Sequence, residues 1–171
     1  MNAPNITDAI FARAARQPHA AAVIDDESVI SYQTLCRAVR ATSGRLRAAG
    51  WRAGDVIGID VADRQVLHLL ASLAMAHSGI VQMALPASEP AAVQTERIRR
   101  TGIAGVVSDG SRGAPVPVLR IDGSWLSPGT VEDLRVPGGT RLWIVAETSG
   151  TTAEPKLAGI SHAVEQAHAH S

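Results

Sequence analysis

The chain has 171 residues, of which 46% are apolar, enough to bury one sizeable core. Its 16 basic and 16 acidic residues cancel and aromatic residues make up only 3%, which argues against the charge excess and stacking rings that hold nucleic acid. Cys36 is the single cysteine, so no disulfide framework or cysteine-rich metal site exists within the chain, and a buried thiol in a reducing cytoplasm is expected.

The first residues, Met1 to Arg13, lack a basic start, a continuous apolar stretch and a small-residue cleavage site, so they are not read as a secretory signal. Thr7 is placed to cap a helix reaching about Arg16, where Pro18 blocks continuation, and Ala21 to Ile24 reads as a short strand. Asp25, Asp26 and Glu27 form a solvated turn. Ser31 caps a second helix, in which Leu35, Val39, Thr42 and Leu46 recur at helical spacing until Gly50 provides a left-handed exit. Asp55 to Val61 follows as a strand.

Arg64 to His77 is apolar on nearly every side, which predicts a well-buried third helix leading through Gly79 into a strand from Ile80 to Leu85. The window Val66 to Leu85 approaches membrane-spanning length, but His68, Ser72, His77, Gly79 and Gln82 interrupt it, so no membrane span is predicted. Pro90 opens a fourth helix to about Arg100, with Gly102 past its end, before strands at Ile103 to Val107 and Val116 to Ile121. Arg141 to Ala146 is a further strand, and Ser161 caps a final helix starting at His162. This alternation predicts an α/β fold over residues 1–171, a mostly parallel sheet flanked by helices with ligands at the carboxyl ends of the strands.

The strand from Arg141 runs into Thr148-Ser149-Gly150-Thr151-Thr152-Ala153-Glu154-Pro155-Lys156, which carries four hydroxyls and one ammonium group in nine residues. Hydroxyls donate to phosphate oxygens, Gly150 lets backbone N–H groups approach, and Lys156 adds a mobile positive charge. Ser, Thr, Gly and Pro also dominate ordinary strand-to-helix loops. The other 15 basic residues are all Arg and the only Lys stands here, which favours a phosphate ligand. The segment does not fit G-x-x-x-x-G-K-[ST], because no Gly precedes Lys156 and no hydroxyl residue follows it.

Extended through Leu157-Ala158-Gly159-Ile160-Ser161-His162, the segment resembles the T-S-G-T-T-G-x-P-K-G-x-x-x-S-H signature of AMP-forming, adenylate-forming ligases. That superfamily includes acyl-CoA synthetases, adenylation domains of peptide synthetases, and luciferases. Ser31-Tyr32-Gln33-Thr34-Leu35 is similar to its T-Y-x-E-L, and Gly50-Trp51-Arg52-Ala53-Gly54-Asp55-Val56 to its G-V-x-x-G-D-x-V. His77 to Pro86 is similar to its helix-to-strand segment ending near proline. These three segments are read as architectural.

The resemblance implies the amino-terminal subdomain of such a ligase. A carboxylic acid attacks the α-phosphorus of Mg-ATP, giving an acyl-adenylate and pyrophosphate, and a thiol of CoA or of a carrier protein then displaces AMP. Thr148, Ser149, Gly150, Thr151, Thr152 and Lys156 would cradle the β- and γ-phosphates, with Lys156 as the catalytic residue. Mg²⁺ would share the phosphate charge, and no residue of the chain is assigned as its ligand. Ala153 and Leu157 stand where the family has Gly, which predicts a stiffer loop. Glu147 occupies a place often apolar or aromatic, and its carboxylate must face away from the phosphates or meet the metal.

His162 is read as a cap-region or packing residue. His168 and His170 are two apart and share no helix face, which argues against a metal pair. Asp109-Gly110, Asp122-Gly123 and Gly138-Gly139 are read as turns. The parts that the resemblance would assign to adenine, ribose and the acyl pocket are expected beyond Ser171, so the chain is expected to be inactive alone. A degenerate nucleotide-binding or interaction module is the rival reading, and a free-standing phosphotransferase ranks below both for want of a base beside the loop.

Overall fold

The computed structural model describes residues 5–25, 28–62, 64–86, 88–110, 113–127, 141–148 and 156–169. Helix α1 (Ile6–Arg16) is capped by Asn5 rather than Thr7: the Asn5 side chain accepts from Thr7 N–H, and the Asp8 carboxylate returns to the Asn5 N–H. Thr7 is buried inside the first turn. Strands β1 (Ala21–Ile24) and β2 (Val29–Ser31) form a separate antiparallel pair. Asp25 joins them at the turn, its Oδ1 accepting from Ser28 N–H at 2.9 Å. Asp26 and Glu27 of the expected turn lie outside the described residues, as do Gly138 and Gly139.

Ser31 caps α2 (Tyr32–Ala48) through Thr34 N–H, and Gly50 past its end has φ +95°. Strand β3 (Val56–Asp60) leads to α3 (Gln65–Ser78), which ends on left-handed Gly79, then to β4 (Val81–Ala84). Helix α4 (Ala91–Thr101) follows Pro90 and ends on Gly102, also left-handed at φ +67°. Then come β5 (Gly105–Ser108) and β6 (Val118–Arg120). Asp122 caps a 3₁₀ turn, Gly123–Leu126, where a simple turn was expected.

Strands β7 (Leu142–Thr148) and β8 (Lys156–Ser161) precede α5 (His162–Ala169). The six-stranded order is β6-β5-β3-β4-β7-β8, parallel throughout except for the antiparallel β7–β8 pair. β8, which the reading of the sequence did not foresee, pairs antiparallel with β7, and α5 begins only after it.

The path β3-α3-β4 moves one way across the sheet and β4-α4-β5 moves back, so right-handed crossovers put α3 and α4 on opposite faces. Strand alternation divides the core accordingly. Ile57 and Ile59 face α2 and α3, joining Leu46, Leu70, Met75 and Ile80, while Met83, Leu85, Ile98 and Val106 pack on the α4 side. Each fully buried Leu or Ile contributes about 1.5–3 kcal/mol relative to exposure. Cys36 is a buried core thiol, and burial pushes its pKa up against a smaller lowering by Arg40. Among the described residues no helix is long and apolar enough to cross a membrane.

Gly105 is fixed by close approach, since a Cβ there would lie 2.4 Å from Trp51 Cζ2 in a ring that is itself buried. Gly105→Ala is expected to destabilise the fold by about 1–3 kcal/mol through overpacking, read as a lowered urea midpoint with an unchanged slope.

Candidate functional site

β7 is parallel to β4, so the chain leaves it at the carboxyl edge of the sheet, where α/β folds gather ligands. Thr148 ends β7 and Lys156 begins β8, and they are paired opposite one another. Thr148 Oγ1 donates to the Lys156 carbonyl at 3.3 Å, closing the base of the hairpin. Both residues are exposed. Ser149, Gly150, Thr151 and Thr152, with Ala153, lie outside the described residues. The described geometry therefore brings together the first and last members of the expected phosphate-binding set.

Directly opposed residues of an antiparallel pair share a face, and their neighbours take the other. Thr148 and Lys156 thus project on one side, and the pair Glu147 and Leu157 on the other. Glu147 meets α4 there: Arg97 Nε donates to its Oε2 at 3.0 Å, and Arg100 Nη2 forms an ion pair with its Oε1. Arg97 is also forked onto Glu89, with Nη2 to Oε1 at 2.7 Å and Nη1 on Oε2. Donation from Arg97 to the Glu89 carboxylate is the largest influence on Arg97 and raises its pKa against partial burial, with the Glu147 charge adding to it. The acidic residue beside the loop is thereby turned away from the side that Lys156 occupies. Among the described residues no group of three His, Cys, Asp or Glu side chains could hold a metal.

Leu157 sits in extended backbone, and no described non-glycine residue has a positive φ, so this departure from Gly carries no backbone strain. Gly159 is the constrained glycine of β8, because a Cβ there would lie 2.7 Å from Leu142 Cδ2.

His162 is fully buried at the start of α5 and stacks on Trp143, with ring centres 5.7 Å apart. Its surroundings select the neutral ring. Ile6 N–H points at Nδ1 at 3.4 Å, and the Asn5 amide nitrogen lies 3.5 Å from Nε2. That amide is oriented by Thr7, which donates from N and Oγ1 to Asn5 Oδ1, and by donation from Asn5 Nδ2 to the Ala76 carbonyl. Nitrogen donors stand beside both ring nitrogens and a neutral ring can accept at only one of them, so protonating the ring would set both of its N–H groups against donors. Burial accordingly pushes the His162 pKa down, with Asp8 pulling weakly upward. This is the packing role expected of His162. His168 belongs to α5 and His170 lies outside the described residues.

Residue reasoning missed Arg97, Arg100 and Glu89. Their signal was present in Thr95-Glu96-Arg97-Ile98-Arg99-Arg100, where Arg97 and Arg100 are three apart and share a helix face. It also missed Asn5 and Trp143 around His162.

The family described as AMP-binding enzyme matches residues 10–170 of the chain. The phenyloxazoline synthase MbtB of Mycolicibacterium paratuberculosis is 30% identical over 161 residues, which cover 91% of this chain and 14% of that protein. The chain therefore spans a small part of this curated relative. Among solved structures, NpsA-ThdA, an artificially fused Adenylation-PCP di-domain from Klebsiella oxytoca, superposes with a TM-score of 0.82 at 22% identity, over 95% of this chain and 33% of that one. The AMPPNP-bound form of FmoA3, a nonribosomal peptide synthetase, gives 0.79 at 24% identity, over 94% and 17%. At these identities the two structures establish the fold.

Because the native pKa of His162 is depressed, the unfolded chain takes up that proton first as pH falls below about 6.5. The contribution of His162 to stability is thus complete above that pH and is lost as pH falls through the folded pKa. His162→Gln is expected to flatten the dependence of unfolding free energy on pH below about 6.5, measured by urea titration at each pH.

Proposed function

The chain belongs to the AMP-binding enzyme family, and from that premise we propose that it is the amino-terminal part of an adenylation unit that activates a carboxylic acid with ATP. A carboxylate oxygen of the acid attacks the α-phosphorus, the bond from that phosphorus to the bridging oxygen breaks, and pyrophosphate leaves with the electron pair. The products are an acyl-adenylate and pyrophosphate. A thiol then attacks the acyl carbonyl and expels AMP. A carrier-protein thiol is favoured over CoA by the kinship with peptide synthetases, CoA being the competing acceptor.

The observation that carries this reading is the pairing of Thr148 with Lys156 at the carboxyl edge of the sheet, with Glu147 held away by arginines. A hydroxyl and an ammonium group on one exposed face form a donor set suited to phosphate oxygens. Ser149, Gly150, Thr151 and Thr152 complete the cradle for the β- and γ-phosphates. Lys156 acts as the catalytic residue by stabilising negative charge on the departing pyrophosphate. Mg²⁺ would arrive on the phosphates and supply further neutralisation of that charge. Adenine, ribose and acyl recognition are assigned to parts of the unit other than these 171 residues, so the chain alone binds phosphate without turnover.

ATP titrated into the chain should shift the Thr148 and Lys156 amide resonances saturably, and Lys156→Ala should weaken that binding about tenfold or more. Equal affinity in the variant would remove the assignment of Lys156. Robust ATP–pyrophosphate exchange by the chain alone would refute its inactivity.

A further inference from the structure

We propose that Arg97 and Arg100 of α4 are positioning residues for the phosphate site: by holding the Glu147 carboxylate they fix the face that the end of β7 turns toward α4, so that Thr148 and its cross-strand partner Lys156 face the phosphates. The proposal rests on the assignment of that loop to ATP. Glu147 and Thr148 are consecutive in an extended strand, so tethering one side chain to α4 determines the side on which the next emerges. A one-residue shift of β7 past α4 would exchange the faces, placing a carboxylate beside the phosphates and turning the hydroxyl toward the helix.

At the other end of the hairpin the strands are held by the stack of His162 on Trp143 and by His162 N–H donating to the Arg141 carbonyl at 3.4 Å, contacts that lie far from the loop. β8 is the edge strand of the sheet, and its pairing with β7 is irregular between Leu142 and Ile144. At the loop end the ion pairs are multiple and partly buried. The side chains of Arg97 and Glu147 are each 15% exposed. Arg97 is already forked onto Glu89, which precedes α4, so its guanidinium is ordered before Glu147 arrives and less side-chain freedom is lost on pairing. Arg100, 40% exposed, closes the other carboxylate oxygen. The four side chains are two cations and two anions, so the network holds Glu147 without leaving a net charge next to the loop.

The test is titration of the chain with inorganic tripolyphosphate, followed by calorimetry and by the Thr148 and Lys156 amide resonances. Glu147→Gln keeps the shape and removes the charge. It is expected to weaken tripolyphosphate binding about fivefold and to shift both resonances in the free protein while that of core Leu70 stays in place. Arg100→Gln is expected to weaken binding about twofold to threefold alone and to add nothing in the Glu147→Gln background. Unchanged or tighter binding in Glu147→Gln overturns the proposal, tighter binding being the result for a carboxylate that faces the phosphates. Additive losses in the double variant also overturn it. Should Glu147→Gln fail to fold, Arg100→Gln carries the test: loss with displaced Thr148 and Lys156 resonances supports the clamp, and parental behaviour overturns it. Lys156→Ala separates the two levels. If it weakens binding while Glu147→Gln does not, only the clamp fails; if neither it nor the parent chain distinguishes tripolyphosphate from chloride, the loop assignment fails.

Discussion

A carboxylate and a polyphosphate cannot share one face of a strand pair at low cost. Two like unit charges 4 Å apart repel by about 4 kcal/mol at the effective dielectric of a protein surface, more than a single charge-assisted hydrogen bond returns. The pleat of β7 resolves this conflict by geometry, sending Glu147 to the α4 side and Thr148 to the other. Everything described at the site depends on that alternation, because Lys156 shares a face with Thr148 only while the two strands keep their pairing.

Helix α4 therefore does two kinds of work. Ile98 fills the space against Met83, Leu85 and Val106, giving the sheet its second covered face. Arg97 and Arg100, on a neighbouring stripe of the same helix, meet the end of β7. The helix is placed there by the return crossover from β4 to β5, which ends in the left-handed turn at Gly102. Topology, apolar packing and charge placement thus converge on the strand that leads into the loop.

The regular elements were legible wherever periodicity and a punctuating residue agreed. Ser31, Gly50, Gly79, Pro90 and Gly102 bound helices where their backbone chemistry predicts. Asn5 displaced Thr7 as the first cap because its side chain serves the cap and the buried contacts with Ala76 and His162 together, a demand invisible in local sequence. Strand β8 escaped notice because Lys156-Leu157-Ala158-Gly159-Ile160 lacks both alternation and β-branched density, and the pairing with β7 creates the strand. That Thr148 and Lys156 stand opposite one another follows from the β7–β8 pairing, which residue type alone does not announce. The partner of Glu147 was not legible either, because Arg97 is fifty residues distant and nothing local announces the contact.

The contact between Asn5 and His162 spans 157 residues of chain. At a synthesis rate of about 5–20 residues per second, His162 is made roughly 8–30 seconds after Asn5, long after α1, α2 and α3 have been able to collapse together. Until then the Asn5 amide and the Ile6 N–H that face His162 in the fold lack that partner. The imidazole that fills this site is thus made long after the residues that line it, and it must shed its water and stay neutral to fit.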